Sequence, residues 1–219
     1  LLEAGVAWLD DPSNARADFE RVRLRRAEAH LAALGLSNDK LALSAARLTR
    51  ARAALDVVTD ERLGALVAIH GGVFASVPRE VWLREPQDIR VRLLTRLLAA
   101  FGGEARPARL SQVEALEDAL SRDNRPLAQT LGGCIVSKGR TTLRLYREPP
   151  AVPPPDVVLD AGQDVLWDWR FRVRYAGGSG ETVKVRPLGL AAYATLRSRP
   201  GPTVRPPARA AAGLPAIWR

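Results

Sequence analysis

The chain has 219 residues, 47% of them hydrophobic, with 33 basic against 24 acidic side chains and a formal net charge of +9. This hydrophobic content excludes wholesale disorder and suits one large domain or two small ones. No apolar run approaches the ~18–20 residues of a membrane-spanning helix, and the single cysteine, Cys134, excludes an internal disulfide and fits a reducing cytoplasm.

The basic excess points to an acidic partner, RNA or DNA foremost. Only Lys40, Lys138 and Lys184 are lysines, so the arginine and alanine richness reads equally as the mark of a GC-rich genome. Methionine is absent, even at position 1. Leu1 to Gly5 reads as a helix's last turn closed by glycine, and Leu214 to Trp218 as a strand or turn that stops without a partner. Both ends are therefore expected to be interior points of a longer protein.

The first marked feature is the corner Asp10-Asp11-Pro12-Ser13-Asn14. Pro12 fixes its own φ and pushes Asp11 away from helical angles, so the chain turns there. Ser13 or Asn14 then offers an acceptor to the free amides of a helix start. The pattern predicts a helix over 15–34, stopped by Gly35, with Phe19 and Val22 among its apolar members. Arg21, Arg23 and Arg25 fall at every second position, so they fan over a wide arc instead of sharing a face. The corner alone is an ordinary helix start. The arginine fan is the arrangement of a helix beside a polyanion.

Ser37 or Asn38 opens a second helix that extends toward Ile69, with Asp60-Glu61 as a candidate break and His70-Gly71-Gly72 as its end. Val73 to Val77 is a short extended piece, and Pro78 to Trp82 a brief helix. Pro86 starts a stronger helix whose stripe is Ile89, Leu93, Leu97 and Phe101, widened by Leu94 and Leu98 and stopped by Gly102-Gly103. Ser111 is expected to cap a further helix carrying Val113, Leu116 and Leu120. Two β-type runs, Leu127–Ser137 and Thr141–Arg147, form a hairpin through Lys138-Gly139-Arg140, with Gly132-Gly133 marking a bulge or a close backbone approach.

Pro149 to Pro155 reads as a stiff connector. Beyond it, Asp164 to Tyr175 alternates as one strand. Val165, Trp167, Trp169, Phe171, Val173 and Tyr175 share one face, opposite Asp168, Arg170, Arg172 and Arg174. Gly177 to Gly180 turns the chain, and Thr182 to Arg186 returns as its paired strand. The arginine row suits a phosphate backbone beside aromatic surface; it suits a solvated outer face over an aromatic core as well. A short helix from Leu188 to Arg197 and a proline-rich loop to Pro207 precede the end. The resulting fold class is α+β: a mainly helical N-terminal part followed by a smaller β-rich domain.

Several chemistries lack their motifs. No Gly-x-x-x-x-Gly-Lys-Ser/Thr loop occurs, and no Gly-x-Gly-x-x-Gly follows a strand. His30 and His70 lie on separate segments, and with one cysteine there is no metal-ligand spacing, so no metal site is expected. Nothing around Cys134 in the sequence favours a lowered thiol pKa.

Three groups of residues carry a family resemblance. Trp8-x-x-Asp11-Pro12-Ser13-Asn14, followed by Phe19-x-Arg21-x-Arg23-Leu24-Arg25, resembles the junction of bacterial tRNA(Ile)-lysidine synthases, where a turn precedes a Y-x-R-N-x-I/L-R helix. Val22 stands where that pattern has asparagine. Thr130-Leu131-Gly132-Gly133, with Arg147-Glu148 closing the next strand, resembles the family's T-L-G-G … R-E hairpin. The third group is Val185-Arg186-Pro187-Leu188-Gly189 and Leu214 to Trp218. These marks stand in family order along nearly the whole chain.

The resemblance implies a cytoplasmic ATP-dependent ligase that joins lysine to the wobble cytidine of the CAU-anticodon tRNA(Ile). The lysidine so formed decodes AUA instead of AUG. It implies Mg-bound ATP as cofactor, held by an S-G-G-x-D-S loop that would lie upstream of Leu1; it also allows a homodimer. It assigns Arg21 a catalytic place, and Asp11, Ser13, Asn14, Arg23 and Arg25 contacts to tRNA or adenylate. Residues 1–36 would be the edge of the catalytic domain, 37–148 a helical tRNA-binding domain closed by a hairpin, 149–155 a linker and 156–219 a β-rich domain. A non-catalytic RNA-binding accessory protein and a helical scaffold without nucleic acid are the competing readings of the same residues.

Overall fold

The computed structural model describes residues 19–103, 107–168, 170–178, 180–201 and 203–218, excepting the side chains of Arg21, Arg25, Arg26 and Ala29. The fold is α+β, and the chain divides into two compact units at Leu55/Asp56.

In the first unit, helix α1 (Glu20–Ala33) opens later than the periodicity predicts. Phe19, in extended conformation, is its N-cap and no side chain caps it, so the capping expected near Ser13 and Asn14 does not fall at this start. The stop at Gly35 is as expected. With φ +83°, Gly35 donates its amide to Ala32 while the Leu36 amide reaches the Leu31 carbonyl, each at 2.9 Å. Helix α2 (Asn38–Leu66), which opens in this unit and ends in the next, runs without a break at Asp60-Glu61, and the Asn38 side-chain amide donates to the Glu28 carboxylate.

The second unit is built on a five-stranded antiparallel sheet in the order β1-β2-β5-β4-β3. Its strands are β1 (Ala68–His70), β2 (Phe74–Pro78), β3 (Leu127–Leu131), β4 (Cys134–Lys138) and β5 (Thr142–Arg147). Between β2 and β3 come α3 (Arg79–Arg84), α4 (Gln87–Gly102) and α5 (Leu110–Arg122). The stripe on α4 packs as its spacing predicts: Ile89, Leu93, Leu94, Leu97, Leu98 and Phe101 are all buried, as are Val113, Leu116 and Leu120 of α5. They cover the face of the sheet that carries Ala75, Val77, Val136, Leu143 and Leu145. The amide opening α5 at Arg109 is met by the Gln112 side chain at 3.0 Å, not by Ser111.

Two readings of the strands need correction. Leu127–Ser137 is not one run, because Gly132 and Gly133, with φ +54° and +72°, close a two-residue hairpin turn between β3 and β4. Likewise Asp164–Tyr175 folds back on itself as β7 (Asp164–Trp167) and β8 (Phe171–Arg174). Asp168 sits at the turn with φ +49°, a conformation that aspartate tolerates better than most residues, and the Arg170 amide reaches the Trp167 carbonyl at 3.0 Å.

A hairpin closed by a short local turn leaves Thr182 to Arg186 without the partner expected of it. That segment, β9 (Thr182–Pro187), pairs instead between β6 (Val157–Asp160) and β10 (Pro215–Trp218). The last residues therefore do have a strand partner. Leu159, Trp167, Tyr175, Val183 and Val185 form the core here, with Val165, Phe171 and Val173 packed on it. Helices α6 (Leu190–Arg197) and α7 (Ala208–Ala212) lie between β9 and β10, and Ala210 of α7 packs on Phe74, Ile135 and Tyr146 of the five-stranded sheet.

Candidate nucleic-acid interface

Of the residues singled out in the sequence, Asp11, Ser13 and Asn14 lie outside the described residues. The backbone of Arg21, Arg23 and Arg25 is helical, on α1, and Arg23 is exposed.

The T-L-G-G … R-E group converges on one corner of the second unit. Gly102, the last residue of α4, lies so close to the hairpin turn that a β-carbon there would stand 2.0 Å from the Gly132 carbonyl oxygen. The expected close backbone approach is thus real, but the partner is a helix end. The Arg147 guanidinium lies against Gly103, about 3.3 Å from the point a β-carbon would occupy. The Glu148 amide donates to Gly133 O at 2.8 Å, tying the end of β5 to the turn. Arg147 also approaches the Asp168 carboxylate at 4.0 Å, which is held more tightly by Arg170, with Nε at 2.9 Å. This chain of groups links the five-stranded sheet to the β7–β8 turn.

Cys134, one residue past the turn, is buried and donates to Leu98 O at 3.6 Å. Burial pushes its thiol up to about 12, partly opposed by the nearby Arg147 charge. A thiol so placed is inert as a nucleophile near neutral pH.

The third group also comes together. Its two segments, far apart in sequence, are partners in the β9–β10 ladder: Pro187 opposite Pro215, and Arg186 opposite Ala216. The Leu188 amide extends the pairing to Leu214 O at 2.9 Å. The Arg186 guanidinium lies 3.9 Å from the centre of the Trp218 ring, a contact that sequence spacing could not reveal because the ladder creates it.

Many arginines serve the fold. Arg90 pairs at 2.6 Å with Glu117, whose side chain is fully buried. Arg92 and Arg96 reach Asp56 at 3.0 and 3.2 Å, and Arg96 also pairs with Asp60. Lys138, nearly buried, donates to Ala119 O at 2.8 Å and Asp123 O at 3.0 Å, closing the C-terminal end of α5. The backbone amide of Arg125 and then Lys138 hold the Asp123 carboxyl below its ordinary range.

The arginine row of β8 faces outward above an apolar core, with Arg172 paired to Asp164 at 3.5 Å. Among the described residues of its aromatic side, Trp167 and Tyr175 are buried in that core and Phe171 packs against it. Trp169 lies outside the described residues. Arg140, Arg144, Arg174 and Arg197 are exposed and make no ion pair among the described residues. Among those residues there is also no metal-ligating cluster, and no helix long and apolar enough to cross a membrane.

No family model matches the chain. It is similar to curated proteins named tRNA(Ile)-lysidine synthase. The protein from Ruegeria pomeroyi is 34% identical over all of this chain and 49% of its own length. That from Methylobacterium nodulans is 40% identical over 67% of this chain and 45% of its own length, and that from a Bradyrhizobium species 35% identical over 68% and 47%. The chain thus spans about half the length of the curated relatives it matches.

Proposed function

The chain belongs to the tRNA(Ile)-lysidine synthase family, and on that premise we propose that it supplies the tRNA grip of an enzyme joining lysine to the wobble cytidine of the CAU-anticodon tRNA(Ile). The observation that carries this reading is the similarity to the Ruegeria pomeroyi protein along the entire chain. In this reading Arg21 acts at the reaction centre. Arg23 and Arg25 hold tRNA or adenylate phosphates, which suit arginine's planar fork, while Asp11, Ser13 and Asn14 form the adjoining corner. Residues 1–36 edge the catalytic domain, 37–148 form the tRNA-binding domain, 149–155 are the linker and 156–219 the C-terminal β-rich domain. The working compartment is the cytoplasm, and a homodimer is compatible with the assignment.

The loop that would hold ATP is not among the motifs of this chain. The S-G-G-x-D-S loop does not occur in its 219 residues, and the glycines of 177–180 lead into a strand instead of a phosphate-cradling helix. The energy source of the proposed reaction is therefore assigned to the other half of the family's length. What these residues contribute is binding and orientation.

The test joins this chain to a family N-terminal half and measures lysine incorporation into tRNA(Ile) with ATP present. Incorporation is expected, and Arg21→Ala should reduce it roughly tenfold or more. A folded protein that incorporates none overturns the assignment, whereas wild-type rates in the variant remove only Arg21. Affinity of the 219-residue chain for tRNA should fall steeply with salt, as phosphate contacts require.

A further inference from the structure

Strand β9 alternates strictly. Val183 and Val185 are buried in the core, which puts Lys184 and Arg186 on the opposite face. In the ladder Lys184 lies opposite Val158 of β6 on one side and Trp218 of β10 on the other. The same face therefore carries an exposed apolar residue, Val158 at 59% exposure, and an indole at 36%. The Arg186 guanidinium stacks on that indole. A tryptophan left at a sheet surface beside two cations is not part of the core that the other face builds.

We propose that this face of the three-stranded sheet binds one unpaired RNA nucleotide, a proposal that rests on the tRNA-binding reading above. The base stacks on the Arg186–Trp218 pair, and its phosphate takes Lys184. Stacking on indole or guanidinium planes is how proteins hold single-stranded bases, whereas a duplex keeps its base faces within its own stack. Lys184 is available for exchange: its ion pair with Asp156 at 3.7 Å is about half exposed on both sides and therefore weak. Asp160, opposite Thr182 on the same face, repels a phosphate and limits the site to about one nucleotide.

The experiment measures fluorescence anisotropy of a labelled short single-stranded RNA, and of a blunt duplex of the same sequence, with the 219-residue chain. Trp218→Ala should weaken single-strand binding roughly tenfold while duplex binding stays as in the wild type, and Trp218→Phe should keep most of the affinity. Equal single-strand affinity in wild type and Trp218→Ala overturns the proposal, as does an equal loss for both RNAs. Should Trp218→Ala unfold, Lys184→Ala, at a solvent-exposed position, replaces it. A reduced salt slope on the single strand then supports the site, and an unchanged slope overturns it. A chain that binds tRNA without dependence on Trp218 fails this proposal alone, whereas one that binds no RNA fails the parent reading too.

Discussion

Replacing Gly102 by alanine sets two effects of opposite sign against each other. Alanine in a helix is favoured over glycine by about 1 kcal/mol, and less at a helix end. The added methyl, however, would stand 2.0 Å from the Gly132 carbonyl oxygen and 3.2 Å from its carbon. Carbon and oxygen rest at about 3.3 Å or more, so the helix end and the hairpin turn must separate by roughly 1 Å. Neither side is a flexible side chain, and the turn is anchored by the Glu148–Gly133 bond. Overpacking of this kind costs about 1–3 kcal/mol and exceeds the propensity gain. The net loss is about 1–2 kcal/mol, so at ~2–4 °C per kcal/mol for a chain of this size Gly102→Ala should lower Tm by roughly 2–8 °C in thermal unfolding followed by circular dichroism. Gly64→Ala is the control: nothing lies within 4 Å of its β-carbon position inside α2, so the same substitution should stabilise by up to about 1 kcal/mol. A Gly102→Ala protein as stable as wild type would refute the close approach.

Two further outcomes follow from buried groups. Glu117→Leu strands the Arg90 guanidinium and should cost about 3–5 kcal/mol in urea unfolding, while adding Arg90→Leu should recover most of it; a single-variant loss below about 1 kcal/mol would contradict the pair's burial. Cys134 should resist a thiol reagent at pH 8 until the protein unfolds. Because its folded pKa is raised by burial, to about 12, its contribution to stability is complete below the pH near 9 where an exposed thiol ionises and is lost as pH rises toward 12. Comparing the alkaline limb of stability in Cys134→Ala checks the sign: the variant should lose less over that range.

Helices were legible because their signal is local. The stripe from Ile89 to Phe101 needs only a period of 3.6 to be read, and each of its members is buried. Strands were legible as runs but not as pairs. Leu127–Ser137 and Asp164–Tyr175 both alternate through their turns, so the pattern continues across a reversal marked only by Gly132-Gly133 or by Asp168. The β9–β10 pairing could not be read, because it joins segments separated by two helices and depends on ladder register. The Arg186–Trp218 stack likewise required the ladder to bring its halves together.

Two of the three groups of residues that carry the family resemblance are therefore motifs of architecture. Gly132 and Gly133 supply positive φ and the space for Gly102; Arg147 and Glu148 fasten a strand end to that turn. Pro187 and Pro215 face each other in a ladder. Residues fixed in this way tolerate little change, which makes a hairpin a durable signature without making it a site of chemistry. A charged surface constrains sequence less, since an exposed arginine can shift by one position and still reach a polyanion. If the proposed tRNA-binding reading holds, its contacts are to be sought beside these motifs, on exposed cations such as Arg140, Arg144 and Arg174. Reversing the charge of Arg144 should then weaken tRNA binding and its salt slope with little change in Tm. The opposite pattern, a large stability loss with unaltered tRNA affinity, would place Arg144 with the scaffold.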